Sequence, residues 1–246
     1  MRTFWLGMTP YLAAWNLQRR LAEARAEGRA PDILLLLEHP PTITLGRGAR
    51  REHLLASSAE LDRRGVGVYE IDRGGDVTYH GPGQLIGYPI LDLAAHGRDL
   101  HAYLRRMEGA LIRCLALLGV ESRRFPPHTG VWVGDRKIAA MGVHVRRWVS
   151  THGFALNVQP DLSHYDLIVP CGIREYGVTS LADLAPPAPP MERVAALVAR
   201  EFDREFGSAR RECDPAERLF DPGEWMPDAV ELLPPADIPL QEDTIR

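Results

Sequence analysis

The stretch "TGVWVGDRKIAAMGVHV", residues 129–145, decides the fold class. Apolar residues alternate up to Gly134-Asp135 and away from it again, the pattern of two antiparallel strands joined by a tight turn. "STHGFALNV", residues 150–158, reads as a further strand beside this hairpin. A hairpin in the middle of a chain that also carries amphipathic helices argues against a doubly wound fold. It favours an α+β fold with a mixed or antiparallel sheet. Within the hairpin, at a strand start near the turn, lies Lys137, the only lysine in a chain with 29 Lys and Arg residues.

Working outward, Thr9 and Pro10 read as a helix N-cap and first helical residue. Gly28 closes that helix, with Tyr11, Leu12, Trp15 and Leu21 on its inner side. "DILLLLEH" (32–39) and "TITLGR" (42–47) read as strands, the first apolar enough to be buried on both faces. A short helix from Ser58 to Arg64 precedes "VGVYEID" (66–72), which alternates like a strand, and "LIGYPILDL" (85–93) is another. Leu100, Tyr103, Leu104, Met107, Leu111, Leu115 and Leu118 recur at helical spacing up to Gly119, and Cys114 on that stripe reads as core. "APPAPP" (185–190) is a connector, and "MERVAALVAREFDREFG" (191–207) an amphipathic helix ending at Gly207. The division is therefore a catalytic unit over 1–212 and a Pro- and acid-rich extension, 213–246, expected to pack on it. Cys213 is read as exposed.

With 45% hydrophobic and 25% charged positions among 246 residues, the chain has the composition of a globular protein. The apolar run Ile33 to Leu37, like every other in the chain, is far short of a membrane span, and a cytoplasmic location is expected. Cys114, Cys171 and Cys213 suggest neither a disulfide framework nor a metal knuckle. A net charge of −4 argues against general nucleic-acid binding. The clusters Arg47/Arg50/Arg51, Arg123/Arg124 and Arg146/Arg147 are either solvated replacements for lysine or contacts for an acidic surface.

Cys171 lies in "DLIVPCGIREYGVTSL" (166–181), where Pro170 keeps Val169 out of a helix and Gly172 permits close approach. Two readings stand open: a buried structural thiol, or a nucleophile held at a bend. A nucleophilic thiol needs a nearby cation, and an ammonium, unlike a guanidinium, can also release its proton. Lys137 meets that need if the fold brings it across 34 positions; otherwise it is a surface lysine left at a turn. "RGGDVTYHGPGQ" (73–84) places four glycines among Arg, Thr, Tyr and His, suited to close backbone approach around a substrate. Walker A, Rossmann, GxSxG and HExxH patterns are absent, so ATP-driven and metal-driven chemistry both lose ground. His80, His144 and His152 read as hydrogen-bonded pocket or sheet histidines.

Together, "RGGDVTYHGPGQLIGYPI", "RKIAAMGVHVRRWVSTHGFALNV" and "PCGI" followed by "GVTSL" resemble the lipoyl(octanoyl) transferases over roughly residues 30–205. The resemblance implies a fold like the biotin and lipoate ligase catalytic domains, an α/β sandwich with a mixed sheet flanked by helices. It implies transfer of an octanoyl group from octanoyl-acyl carrier protein to the lysine of a lipoyl domain, through a thioester on Cys171 assisted by Lys137. Acceptors would be the lipoyl domains of 2-oxoacid dehydrogenase complexes and the glycine cleavage H protein; no cofactor, metal, nucleic acid or membrane is implied. The family's substrate loop falls on Arg73, Gly74, Gly75, Asp76, Val77, Thr78, Tyr79 and His80. Further pocket backbone falls on Ala140, Met141, Gly142, Gly153, Phe154 and Ala155. Leu85, Met141, Val143 and Phe154 are expected walls of an acyl tunnel or core residues, and Arg47, Arg50, Arg51, Arg146 and Arg147 are candidate docking charges. An ATP-dependent ligase of the same fold is the alternative enzyme.

Overall fold

The run Ile33–Leu37 is fully buried in strand β2 (Ile33–Glu38), because both faces of that strand are covered. Leu34 and Leu36 join a cluster built with helices α3 (Leu100–Leu117) and α5 (Met191–Phe206). Ile33, Leu35 and Leu37 point the other way, into a cluster under α1 (Tyr11–Ala26). This is the two-residue period of a strand dividing one apolar run between two cores, each buried side chain contributing about 1.5–3 kcal/mol.

The computed structural model describes residues 1–207, 221–226, 228 and 230–231. Around β2 lie β1 (Arg2–Met8), β6 (Gln84–Ile90), β7 (Arg123–Phe125), β8 (His128–Val133), β9 (Arg136–Arg146), β10 (Val149–Asn157) and β11 (Val230–Glu231). They form an eight-stranded sheet in the order β11-β1-β2-β6-β10-β9-β8-β7. The β1–β2 pair is parallel and its neighbours are antiparallel, so the sheet is mixed, as the central hairpin implied. The β8–β9 turn falls at Gly134-Asp135, with Val133 opposite Arg136. A second sheet, β4-β3-β5, joins β3 (Thr42–Leu45), β4 (Gly67–Glu70) and β5 (Val77–His80) over a third core cluster that includes Ile43, Val77 and Tyr79. α2 (Ser58–Arg63), capped by Ser57, adds Leu61 to it.

Several local expectations change. The sequence pattern gives no strand over β1, which is only partly buried and carries Gly7, so its alternation is weak; pairing with the strongly apolar β2 decides its state. β5 hides inside the glycine-rich segment because it is four residues long and buried on both faces, and pairing with β3 decides its state. Thr9 does not cap α1: its hydroxyl donates back to the carbonyls of Leu6 and Gly7, and Pro10 takes the cap position. Leu12 faces solvent, while Tyr11 and Leu21 are buried. α3 begins with Asp99 accepting from the Ala102 N–H, and Cys114 is fully buried on its core face. Beyond α5, a short α6 (Pro222–Trp225) leads to Met226, buried in the cluster under α1, and β11 pairs with β1. Cys213 lies outside the described residues.

Gly87 on β6 sits opposite Phe154 on β10, and the Phe154 ring lies over it: a Cβ there would be 2.1 Å from a ring carbon. That ring is also packed against Phe202, centroids 5.1 Å apart. Gly87→Ala should therefore destabilise the protein by about 1–3 kcal/mol through overpacking. Urea denaturation checks this; an unchanged midpoint would show that the two strands separate freely.

Candidate active site

Cys171 occupies a 3₁₀ turn, Pro170–Gly172, with Val169 extended before the proline as its sequence requires. The thiol residue itself has φ 55° and ψ 18°, a left-handed conformation uncommon for a residue with a Cβ. Surrounding bonds enforce it. The Val169 N–H donates to the His53 carbonyl at 2.8 Å, and the Leu55 and Ala56 N–H groups donate to Leu167. Gly172 follows at φ 71°, where a Cβ would lie 2.7 Å from Asp76 Oδ2. Asp76 Oδ2 is in turn 2.6 Å from His53 Nδ1. His53 belongs to no motif, and only the fold brings it beneath the thiol's turn.

Lys137 is the second residue of β9, across from Trp132. Its backbone N–H donates to Gly177 at 2.9 Å and its carbonyl accepts from Thr179 at 3.0 Å, so the segment after Cys171 is bound to this strand. The side chain is 7% exposed, and Nζ donates to Cys171 Sγ at 3.3 Å. The ammonium also lies 4.9 Å from the centroid of the Trp132 ring. Among the described residues it has no carboxylate partner.

The pair lines a cavity of about 560 Å³. Gly142 stands opposite Gly153 and Ala140 opposite Ala155, giving one face of the β9–β10 ladder side chains no larger than a methyl. The loop from Arg73 crosses this lane: the Gly74 N–H donates to Val143 at 2.9 Å, and a Cβ on Gly142 would meet the Gly74 carbonyl at 2.8 Å. Arg73, Gly74, Gly75, Asp76, Thr78 and His80 all line the cavity. Val77 and Tyr79, on the alternate face of β5, turn into the third core instead. Met141, Val143 and Phe154 border the space, whereas Leu85 is buried in the core and does not. Tyr11, Tyr88, Leu100, Leu104 and His128 also line the wall, although Tyr11, Leu100 and Leu104 read in sequence only as inner faces of helices. The one available signal was Leu100, an apolar residue on the exposed first turn of α3.

Burial governs the charges here. The buried Arg73 guanidinium donates from Nη2 to the Thr44 carbonyl and hydroxyl, both at 2.9 Å, and its Nε has no partner. Burial lowers its pKa, opposed chiefly by the charge of Cys171. Burial also pushes His80 down to about 3 and His39 to about 4, so both imidazoles are neutral at neutral pH. His80 Nδ1 donates to Gln84 Oε1 at 2.9 Å; His39 Nδ1 donates to the Thr9 carbonyl, leaving Nε2 to accept from the Tyr88 hydroxyl at 2.8 Å. The hydrogen bond from His152, at 2.8 Å, holds Asp72 down at about 2. His144 Nε2 lies 3.8 Å from the same carboxylate. No cluster of three or more His, Cys, Asp or Glu suited to a metal occurs among the described residues, and none of their helices is long and apolar enough to cross a membrane.

Residues 10–203 match the family model of the lipoyl protein ligase A/B catalytic domain. The octanoyltransferase of Chloroflexus aggregans is 56% identical over 201 residues, covering 79% of this chain and 91% of its own. That of Solibacter usitatus is 53% identical over 201 residues, covering 82% and 90%. A bi-partite lipoate protein ligase from Thermoplasma acidophilum, studied with its E2 lipoyl domain, shares the fold at a TM-score of 0.66 with 19% identity, covering 89% of each chain. The fold is thus that of the lipoyl protein ligase A/B catalytic domains, and within that class the chain belongs to the octanoyltransferase family.

The unfolded chain binds a proton at each imidazole below about pH 6.5. The folded chain takes one up only near pH 4 at His39 and pH 3 at His80. Between these limits the unfolded state holds more protons, so stability falls on acidification. The loss should be about 2 kcal/mol per histidine by pH 5. Denaturation midpoints measured from pH 7 to 5 check this, and His39→Gln should flatten the slope; a slope unchanged by that substitution would refute the assignment.

Proposed function

We propose that this chain transfers an octanoyl group from octanoyl-acyl carrier protein, through a thioester on Cys171, to the acceptor lysine of a lipoyl domain. The observation that carries the reading is the 3.3 Å contact between Lys137 Nζ and Cys171 Sγ on the wall of one cavity. An ammonium at that distance favours the thiolate, the nucleophilic form. The thiolate attacks the carrier's thioester carbonyl; the tetrahedral intermediate collapses, the carrier's sulfur leaves, and Lys137 supplies the proton it takes. The neutral Lys137 amine then accepts a proton from the acceptor lysine as that amine attacks the Cys171 thioester. Cys171 departs as thiolate beside a restored ammonium, and the cycle closes. Thioester exchange is nearly balanced and amide formation downhill, so the sequence needs no ATP.

In this reading Arg73–His80, Ala140–Gly142 and Gly153–Ala155 hold the acyl thioester, with Val77 and Tyr79 acting through the packing of β5. The small side chains at 140, 142, 153 and 155 leave room for a chain that must slide in and out. Residues 1–212 form the catalytic unit and 213–246 an extension, of which Met226 and β11 pack against that unit. The acceptors are the lipoyl domains of 2-oxoacid dehydrogenase complexes and the glycine cleavage H protein. Arg47, Arg50 and Arg51 are exposed beside the substrate loop, the Arg47 N–H bonding the Arg73 carbonyl, and suit an acidic carrier.

Intact mass spectrometry after mixing with octanoyl-carrier protein should show one octanoyl increment on Cys171. Transfer at the wild-type rate by Cys171→Ala would end the proposal. Lys137→Arg should fold normally yet lose on the order of 10²-fold or more in turnover, because charge survives and proton transfer does not. Near-normal turnover at pH 7 in that variant would remove the proton-shuttle role. ATP with free octanoate should yield no product; product formation would indicate an adenylating ligase instead.

A further inference from the structure

We propose that Trp132 is a positioning residue for the Cys171–Lys137 pair, its indole face holding the Lys137 ammonium aimed at Cys171. A buried ammonium is ordinarily matched by a carboxylate, since an unpaired charge away from water is costly. Lys137 has none among the described residues; its charge meets only the thiol sulfur at 3.3 Å and the Trp132 ring, whose centroid is 4.9 Å away. Attraction of a cation to an aromatic face is strongest for tryptophan and grows with desolvation. Trp132 is 1% exposed and its Nε1–H has no hydrogen-bond partner, so the ring face is the part of the residue in use.

The surroundings prevent the ring from turning away. Phe125 lies 5.0 Å from it, Tyr176 meets it edge-on at 5.7 Å and His128 lies at 5.8 Å. On the other side the lysine stem runs over Gly130, where a Cβ would be 3.5 Å from its Cδ and Cε. The Gly130 N–H is anchored at 3.0 Å to Glu108, itself fully buried on α3. The ammonium therefore has one seat, between indole and sulfur. Other charged or titratable groups face the pair as well. Arg73 and Tyr165 interact electrostatically with Cys171, and His53 and Asp76 adjoin Gly172. His128 and Tyr176 rim the indole, and Arg136 packs on Gly177.

The proposal rests on the acyl-transfer reading only for the task the pair performs, so its test uses a reaction that needs no acyl donor. Iodoacetamide alkylation of Cys171, resolved from the other cysteines by peptide mass spectrometry, is followed across pH in the full chain. Trp132→Leu should slow alkylation at pH 7 by about three- to tenfold and move its pH midpoint upward, with Trp132→Phe intermediate because a weaker π face remains. In a Lys137→Met background neither substitution should change rate or midpoint, since the residue acts through the ammonium. Wild-type alkylation in Trp132→Leu would overturn the proposal. So would equal slowing with and without Lys137, the mark of a purely structural role, or an equal shift from His128→Gln, which would assign the effect to the imidazole. If Trp132→Leu does not fold, the Trp132→Phe cycle decides by the same comparisons.

Discussion

Two backbone hydrogen bonds, Lys137 N–H to Gly177 and Thr179 N–H to the Lys137 carbonyl, hold the site together. They bind the loop that follows Cys171 to the start of β9 as if it were a short added strand, and Lys137 and Val178 form a parallel bridge. The thiol sits seven residues before Val178 of that bridge, on a turn whose other end is tied to His53. Fixed at both ends, the turn can hold Cys171 at a positive φ that costs on the order of 1 kcal/mol or more. The buried ammonium depends on the same ties, because its seat exists only while the loop is docked.

The cavity follows from a separate constraint, the alternation of strands. On one face of β9 and β10 the side chains at 140, 142, 153 and 155 are Gly or Ala, so a loop can cross the sheet with a space beneath it. Phe154, between Gly153 and Ala155, borders the cavity while its ring packs with Phe202 in the core under α5. β5 makes a similar division, Thr78 and His80 toward the cavity, Val77 and Tyr79 into the third core. One short motif therefore does two jobs, and its residues differ in role according to parity.

Much of this was legible beforehand. The hairpin at 129–145, the apolar β2 and the amphipathic α3 and α5 announce themselves, because each carries its own period and enough apolar surface to be buried wherever it docks. β1 escapes notice because Gly7 and partial burial dilute its alternation, and β5 because it is four residues long and buried on both faces; their pairing partners supply what their own residues do not. The Thr9 hydroxyl could accept from the first N–H groups of the helix or donate to the strand-end carbonyls of Leu6 and Gly7, and it does the second. At the site, Cys171, Lys137 and the Arg73 loop could be nominated from residue type and resemblance, whereas Tyr11, Tyr88, Leu104 and His53 are ordinary residues in ordinary contexts.

The amino-acid sequence by itself determined the α+β class, the membership of residues in helices and most strands, and the presence of one lysine and one turn-borne cysteine suited to each other. Tertiary structure alone decided that they meet. Residues 34 positions apart are juxtaposed by sheet register and by the docking of the 177–179 segment on β9, which no local pattern encodes. It also decided the electrostatics, because a thiol, an ammonium and an imidazole take their properties from burial and neighbours. Trp132 illustrates the difference: in sequence it is one more apolar strand residue, and in the fold its ring is the only partner of the Lys137 ammonium besides sulfur among the described residues.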